Sequence, residues 1–187
     1  MSSEAQASPE QLAPLIDARR IASRLTEMAV EIQAAIPAAE RPVAVVVLQG
    51  AFIFAADLLR EFSADYPIEV AFLRCQSYGP ATRSSGKVLL LQDIDSELDL
   101  RGRTVLLIDD ILDTGGTMKF LAEHLLRRGA ARVSLCVLLK RAANQERWAL
   151  RPDFSGFEAG AGFVVGYGLD INGRHRHLPY LATLNAE

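Results

Sequence analysis

The chain has 187 residues, half of them hydrophobic, and a mean hydropathy of +0.14, enough for one well-buried core and too little for two ordinary domains. A net charge of −3 and a pI near 5.7, with no block of Lys or Arg, argue against sequence-independent nucleic-acid binding and favour a small-molecule partner.

Residues 1 to about 14 are polar and acidic, with no basic start and no apolar run, so they read as a flexible tail and not as a signal peptide. Residues 15–187 read as a single domain. No apolar stretch approaches the length of a membrane span. Cys75 and Cys136 lie far apart, with no metal-ligand spacing to each other or to His124, His175 and His177, and read as reduced thiols. Together these features predict a cytoplasmic protein with no membrane partner.

Ile21, Leu25, Met28, Ile32 and Ile36 recur at helical spacing behind Asp17, a suitable N-cap, and ahead of Pro37, which stops the helix. The β-branched run Val43 to Leu48 predicts a strand, Gln49-Gly50 a tight turn, and the apolar segment through Phe62 a helix. A second strand is expected from Ile68 to about Leu73. A polar stretch rich in Gly, Ser, Thr and Pro then separates two apolar runs, as a mobile loop between strands would. Thr104 to Ile108 predicts a strand and Thr117 to Arg128 a helix, with arginines in its last turn and Gly129 as its stop. "RVSLCVLLK" and "GFVVGYG" predict two more strands. Continuous apolar strands alternating with helices indicate an α/β fold whose mainly parallel sheet is flanked by helices.

The stretch Val105 to Met118, "VLLIDDILDTGGTM", carries the chemistry. In an open α/β sheet ligands bind beyond the carboxyl ends of the strands, and a loop that opens a helix presents unpaired N–H groups to an anion. Thr114, Gly115, Gly116 and Thr117 therefore form a candidate phosphate cradle, in which glycines allow close approach and threonine hydroxyls add neutral donors. Asp109, Asp110 and Asp113 cannot bind phosphate directly, so they would hold sugar hydroxyls, a Mg²⁺ bridging to phosphate, or a proton in transit. The same aspartate spacing occurs in the diphosphate motif of isoprenyl synthases, which are all-helical. Here the aspartates follow a strand and precede a double glycine, and no Walker-type G-x-x-x-x-G-K-[ST] is present.

This stretch resembles the 5-phosphoribosyl 1-pyrophosphate (PRPP) signature of the type I phosphoribosyltransferases. "VVLQGAFIFAADLLR", "SYGPATRSSGKV", "LLKRA" and "FVVGYGLD" followed by Arg176 are similar to other blocks of the family's hypoxanthine-guanine branch, so the likeness runs from about Asp17 to Leu184. The resemblance implies that fold with a small hood, built from the N-terminal segment and about residues 160–184, which holds the base. It implies a purine-salvage enzyme that joins a 6-oxopurine, hypoxanthine or guanine, to PRPP with Mg²⁺ as cofactor, and that assembles as a homodimer or homotetramer.

Residue by residue, the resemblance gives Asp109 and Asp110 the ribose hydroxyls and a share of Mg²⁺, Thr114 to Thr117 the 5′-phosphate, and Asp113 the general acid/base role at purine N7. Lys140 would donate to O6 and so disfavour adenine, since an ammonium has donors and no acceptor. Phe163 would stack on the purine and Val164 offer backbone groups to its 2-position edge. Asp170 would be a second Mg²⁺ carboxylate beside the purine site, and Arg176, with its planar fork, the pyrophosphate contact. Ser77 and Tyr78 would begin the loop that closes over the reacting centre and excludes water. The chain departs from the family pattern in two places. Asp109 stands where the family usually has Glu. Gln49, in the turn whose amides with those of Gly50 would face pyrophosphate, stands where it commonly has Lys. A xanthine-accepting relative is the nearest alternative, and a nucleotide-sensing RNA-binding regulator on the same fold is an alternative of another class that the acidic charge disfavours.

Overall fold

The computed structural model describes residues 12–78, 87–141, 144, 150–160 and 162–184. In chain order the elements are β1 (Leu12–Ile16), α1 (Ala18–Ala35), a 3₁₀ turn (Ala38–Glu40), β2 (Val43–Leu48), α2 (Phe52–Arg60), β3 (Glu69–Tyr78) and β4 (Lys87–Gln92). They continue with β5 (Thr104–Leu112), α3 (Gly116–Arg127), β6 (Arg132–Arg141), β7 (Phe154–Ala159), β8 (Val164–Val165) and β9 (Leu181–Leu184).

Six strands form one sheet in the order β4-β3-β2-β5-β6-β7, parallel throughout except where β4 folds back antiparallel on β3. The central strands are buried on both faces, which is why their sequences are continuous apolar runs instead of alternating ones. On one face Ala44, Val46, Leu106 and Ile108 pack with Ile21, Leu25, Met28 and Ile32 of α1 and with Phe54 and Leu58 of α2. On the other, Val43, Val45, Val105 and Leu107 pack with Met118, Leu121 and Leu125 of α3. Each side of the sheet therefore has a closed core. No described helix is long and apolar enough to cross a membrane.

Local signals set the helix ends. The Asp17 carboxylate accepts the Arg20 N–H at 2.9 Å, as an N-cap does. Gly129, at φ +104°, follows the last turn of α3 and donates its N–H to the Leu126 carbonyl. Four elements run differently from expectation. The strand expected over "GFVVGYG" is only Val164–Val165 (β8), because Gly166, Tyr167 and Gly168 turn into positive φ. The strand expected at Ile68 to Leu73 is β3, continuing to Tyr78. β5 passes Ile108 to Leu112, because Asp109, Ile111 and Leu112 keep their pairing with Val137, Leu139 and Lys140. β1 takes in Leu12 to Pro14 from the stretch read as a tail, while residues 1–11 lie outside the described residues.

A second, three-stranded sheet has the order β1-β9-β8. β9 pairs antiparallel with β1 on one side and with β8 on the other, bringing the start and end of the described chain together. Tyr167 ties it to α2, and Gly166 closes the subdomain's own loop. Tyr167, at φ +49°, donates its hydroxyl to Asp57 of α2 at 2.5 Å. Gly166 lies so close to the Tyr180 carbonyl that a Cβ there would overlap it.

Candidate active site

β2, β5 and β6 all end on one side of the sheet, and every candidate group except the loop after Tyr78 comes from those ends or from the small sheet. β2 ends in a cis peptide between Leu48 and Gln49, followed by Gly50. A Cβ on Gly50 would land on the Asp110 carboxylate, and one on Gly168, at φ +101°, would land on the Gly50 carbonyl. The turn is thus clamped between the acidic end of β5 and the small sheet, and only glycine fits at either point.

Asp109 and Asp110 are half-buried neighbours at the end of β5. The Asp110 N–H donates to Asp109 Oδ1 at 3.0 Å, and the Ile111 N–H to Asp110 Oδ1 at 2.7 Å. Burial, reinforced by the charge of Asp110, pushes the Asp109 carboxyl well above the usual carboxylate range. Burial also raises Asp110, opposed by its hydrogen bond from Ile111 and by the positive charge of Arg176. A cation or a further donor brought to the pair would favour its charged form. Cys75, on β3 beyond the intervening β2, is a free, half-buried thiol pushed up to about 11 by burial with the two carboxylates adding to it, which disfavours its thiolate at neutral pH.

Immediately beyond, Gly115 takes φ +78° as the N-cap residue of α3, and no side chain caps that helix. Its first N–H groups are left to a ligand, and Thr114 and Thr117 flank them. Arg176 sits across the site. Its Nη2 lies 2.6 Å from Asp170 Oδ1 and its Nη1 donates to the Gly168 carbonyl at 2.5 Å, while the other Asp170 oxygen accepts the Gly173 N–H at 2.6 Å. The guanidinium is thus held by the same segment that presses on Gly50.

Lys140 and Asp113 lie near the end of β6, and the other candidates come from β8 and from the end of β3. Lys140 is about one-quarter exposed and its Nζ lies 3.0 Å from Glu158 Oε1 on β7, whose Cα stands in register with it. Asp113 is exposed, accepts a hydrogen bond from Asn144 Nδ2, and has Arg141 Nε 3.8 Å from its Oδ1. Phe163 is 69% exposed, while Val164 is buried in β8. Ser77 and Tyr78 close β3, and the residues 79–86 that follow lie outside the described residues. Glu158, Arg141, Asn144 and Tyr167 were not singled out from the sequence. Only sheet pairing brings Glu158 to Lys140, and the sole signal for Arg141 was its place beside Lys140 in "LLKRA".

An uncapped, glycine-opened helix start lies next to a carboxylate pair that feels the charge of a guanidinium, a set of groups with the chemistry to meet an anion and hydroxyls together. The phosphoribosyl transferase domain model matches residues 14–172. A hypoxanthine-guanine phosphoribosyltransferase of Aquifex aeolicus is 41% identical over 88% of this chain and 90% of its own, and one of Mycobacterium avium is 36% identical over 96% and 91%. Among solved structures, a hypoxanthine-guanine phosphoribosyltransferase of Bacillus anthracis matches with a TM-score of 0.82 at 33% identity, covering 92% of this chain and 98% of that one. A hypoxanthine phosphoribosyl transferase of Trypanosoma cruzi matches with a TM-score of 0.83 at 28% identity, over 96% and 94%. The chain belongs to the phosphoribosyl transferase family, in the branch of the hypoxanthine-guanine enzymes.

Proposed function

We infer that the protein forms purine nucleotides from PRPP and a 6-oxopurine base, hypoxanthine or guanine, releasing pyrophosphate, as a purine-salvage enzyme. The observation that carries this reading is the juxtaposition at one sheet end of the uncapped Gly115–Gly116 helix start, the Asp109/Asp110 pair and the Lys140 ammonium. The first takes the 5′-phosphate. The second takes the ribose hydroxyls, and the third donates to O6.

In the reaction, purine N9 forms a bond to C1′ of the ribose as the bond from C1′ to the pyrophosphate oxygen breaks, inverting that carbon from α to β. Asp113 shares the N7 proton as the base becomes more electron-rich at N9. The amides at Gln49-Gly50 and the Arg176 guanidinium receive the departing pyrophosphate. Phe163 stacks on the purine plane, and the backbone of Val164 meets its 2-position edge. The small sheet serves as the hood that carries both. Ser77 and Tyr78 start the segment that closes over the centre and keeps water away.

Asp109, Asp110 and Asp170 supply hard oxygen donors of the kind Mg²⁺ prefers, and the raised carboxyl of Asp109 marks a site that gains from a cation. Bound there, Mg²⁺ would neutralise the pyrophosphate as it leaves. Asp109, with an arm shorter than glutamate, would reach the sugar or metal through water.

The test is nucleotide formation from PRPP with hypoxanthine, guanine, xanthine and adenine, with and without Mg²⁺. Metal-dependent product from the 6-oxopurines and none from adenine is the expected result. Product from adenine at a comparable rate would remove Lys140 as the selector, and no product from any base would overturn the assignment. The protein also assembles with a second copy of itself. Supporting this, the exposed Val70 and Phe72 of β3 and Leu89 and Leu91 of β4 form an apolar area at the sheet edge. Sedimentation giving a monomer at assay concentration would count against assembly.

A further inference from the structure

Arg141 touches both walls of the proposed purine site. From the last position of β6, its Nη1 donates to the Gly160 carbonyl at 2.7 Å and to the Gly162 carbonyl at 3.0 Å. Its Nε faces Asp113 Oδ1 at 3.8 Å. The side chain is 18% exposed, so it lies along the protein and does not extend into solvent.

Gly160 and Gly162 precede Phe163 and Val164, and Gly160 follows directly on Ala159, the last residue of β7. A Cβ on Gly160 would meet nothing within 4 Å, one on Gly162 only the Thr183 Cγ2 at 3.8 Å, and neither glycine has a positive φ. Their shape is therefore set neither by tight packing nor by an enforced glycine conformation. Below them, the Leu184 N–H bonds the Phe163 carbonyl and fixes the far end of the segment to β9. The near end continues from Ala159, which is buried and paired with Arg141 across β6 and β7, and it takes the two hydrogen bonds from the Arg141 side chain.

We propose that Arg141 is a positioning residue for the base. It sets the gap between the Phe163 segment and Asp113, and so the placement of the purine between its stacking partner and its proton acceptor. This rests on the roles given above to Asp113 and Phe163. A guanidinium suits the task because Nε–H and the two Nη1–H groups point in fixed, separate directions. An ammonium offers its donors from a single point and cannot span both walls. A misplacement of about 1 Å costs on the order of a hundredfold in rate when reacting atoms must align.

The experiment is steady-state kinetics on Arg141→Gln, Arg141→Lys, Asp113→Asn and the double variant Arg141→Gln/Asp113→Asn, with thermal melting of each. Arg141→Gln should raise KM for hypoxanthine about tenfold and lower kcat about tenfold or more, leaving KM for PRPP within about twofold. Arg141→Lys should recover only part of the loss. In the Asp113→Asn background Arg141→Gln should lower kcat little further, because the group it aligns is already gone. The proposal is overturned if KM rises equally for both substrates, if Arg141→Lys restores wild-type kinetics, or if the two kcat losses multiply. Wild-type turnover by Asp113→Asn alone would instead remove the acid/base reading. The hypoxanthine KM of Arg141→Gln would then decide the proposal by itself, a rise sustaining it and no change ending it.

Discussion

The two halves of the site are built by different means. On the sugar-phosphate side the backbone is fixed: Gly50 lies between the Asp110 carboxylate and Gly168, and Gly115 opens α3 in a conformation that favours glycine. On the base side, paired side chains hold the geometry: Lys140 with Glu158, Arg141 with two carbonyls, and Asp113 with Asn144. On the proposed function, the groups that meet phosphate and sugar are thus placed by backbone packing. Those that would choose among bases are placed by contacts that single substitutions can retune.

The contrast can be broken at its rigid end first. Gly50→Ala should cost more than a hundredfold in kcat/KM for PRPP and lower the melting temperature, because its methyl group collides with the Asp110 carboxylate and cannot be accommodated by rotation of a long side chain. Near-normal kinetics for this variant would show that the clamp yields. On the adaptable side, Lys140→Gln should raise KM for hypoxanthine about ten- to hundredfold, the worth of a hydrogen bond from a charged donor. It should leave the PRPP KM in place and narrow the preference over adenine, and a change confined to PRPP would place the lysine elsewhere.

The smallest effect sharpens the same boundary through stability. Asp109 has a folded-state carboxyl raised by burial and by Asp110, so whatever stability it lends is fully present below the ordinary carboxylate range and is lost as the pH rises through the raised value. Asp109→Asn removes that loss. Its melting temperature should match the wild type near pH 4 and exceed it by a few degrees near pH 7, while activity falls. Equal melting temperatures at both pH values would mean that the pair carries no such cost. Adding Mg²⁺ with PRPP should raise the wild-type melting temperature more than that of Asp109→Asn.

Much of the fold was legible because burial on both faces writes strands as unbroken apolar runs. Val43 to Leu48 was read with its observed ends. β7 escaped because Ser155, Gly156 and Glu158 interrupt its pattern, and Gly156 is small for a reason visible only in three dimensions: a Cβ there would crowd the Leu138 carbonyl at 2.6 Å. β1 escaped because Pro14 sits in its middle, which an edge strand tolerates. The same division holds for the candidate site. Asp109 to Thr117 is one contiguous stretch in which local chemistry explains each residue type. Arg141, Glu158 and the Gly160–Gly162 carbonyls meet only through the pairing of β6 with β7 and the turn that follows, and no spacing along the chain announces it.

The hydroxyl of Tyr167 on Asp57 has a consequence for the energetics of base capture. That hydroxyl ties the small sheet to α2, while Gly166 packed on the Tyr180 carbonyl and the Tyr167 N–H bonded to the Leu178 carbonyl close the subdomain on itself. On the proposed function, a purine bound there would not have to freeze a swinging subdomain, so little ordering entropy would be lost on that side and a flat, weakly functionalised heterocycle could be held with few hydrogen bonds.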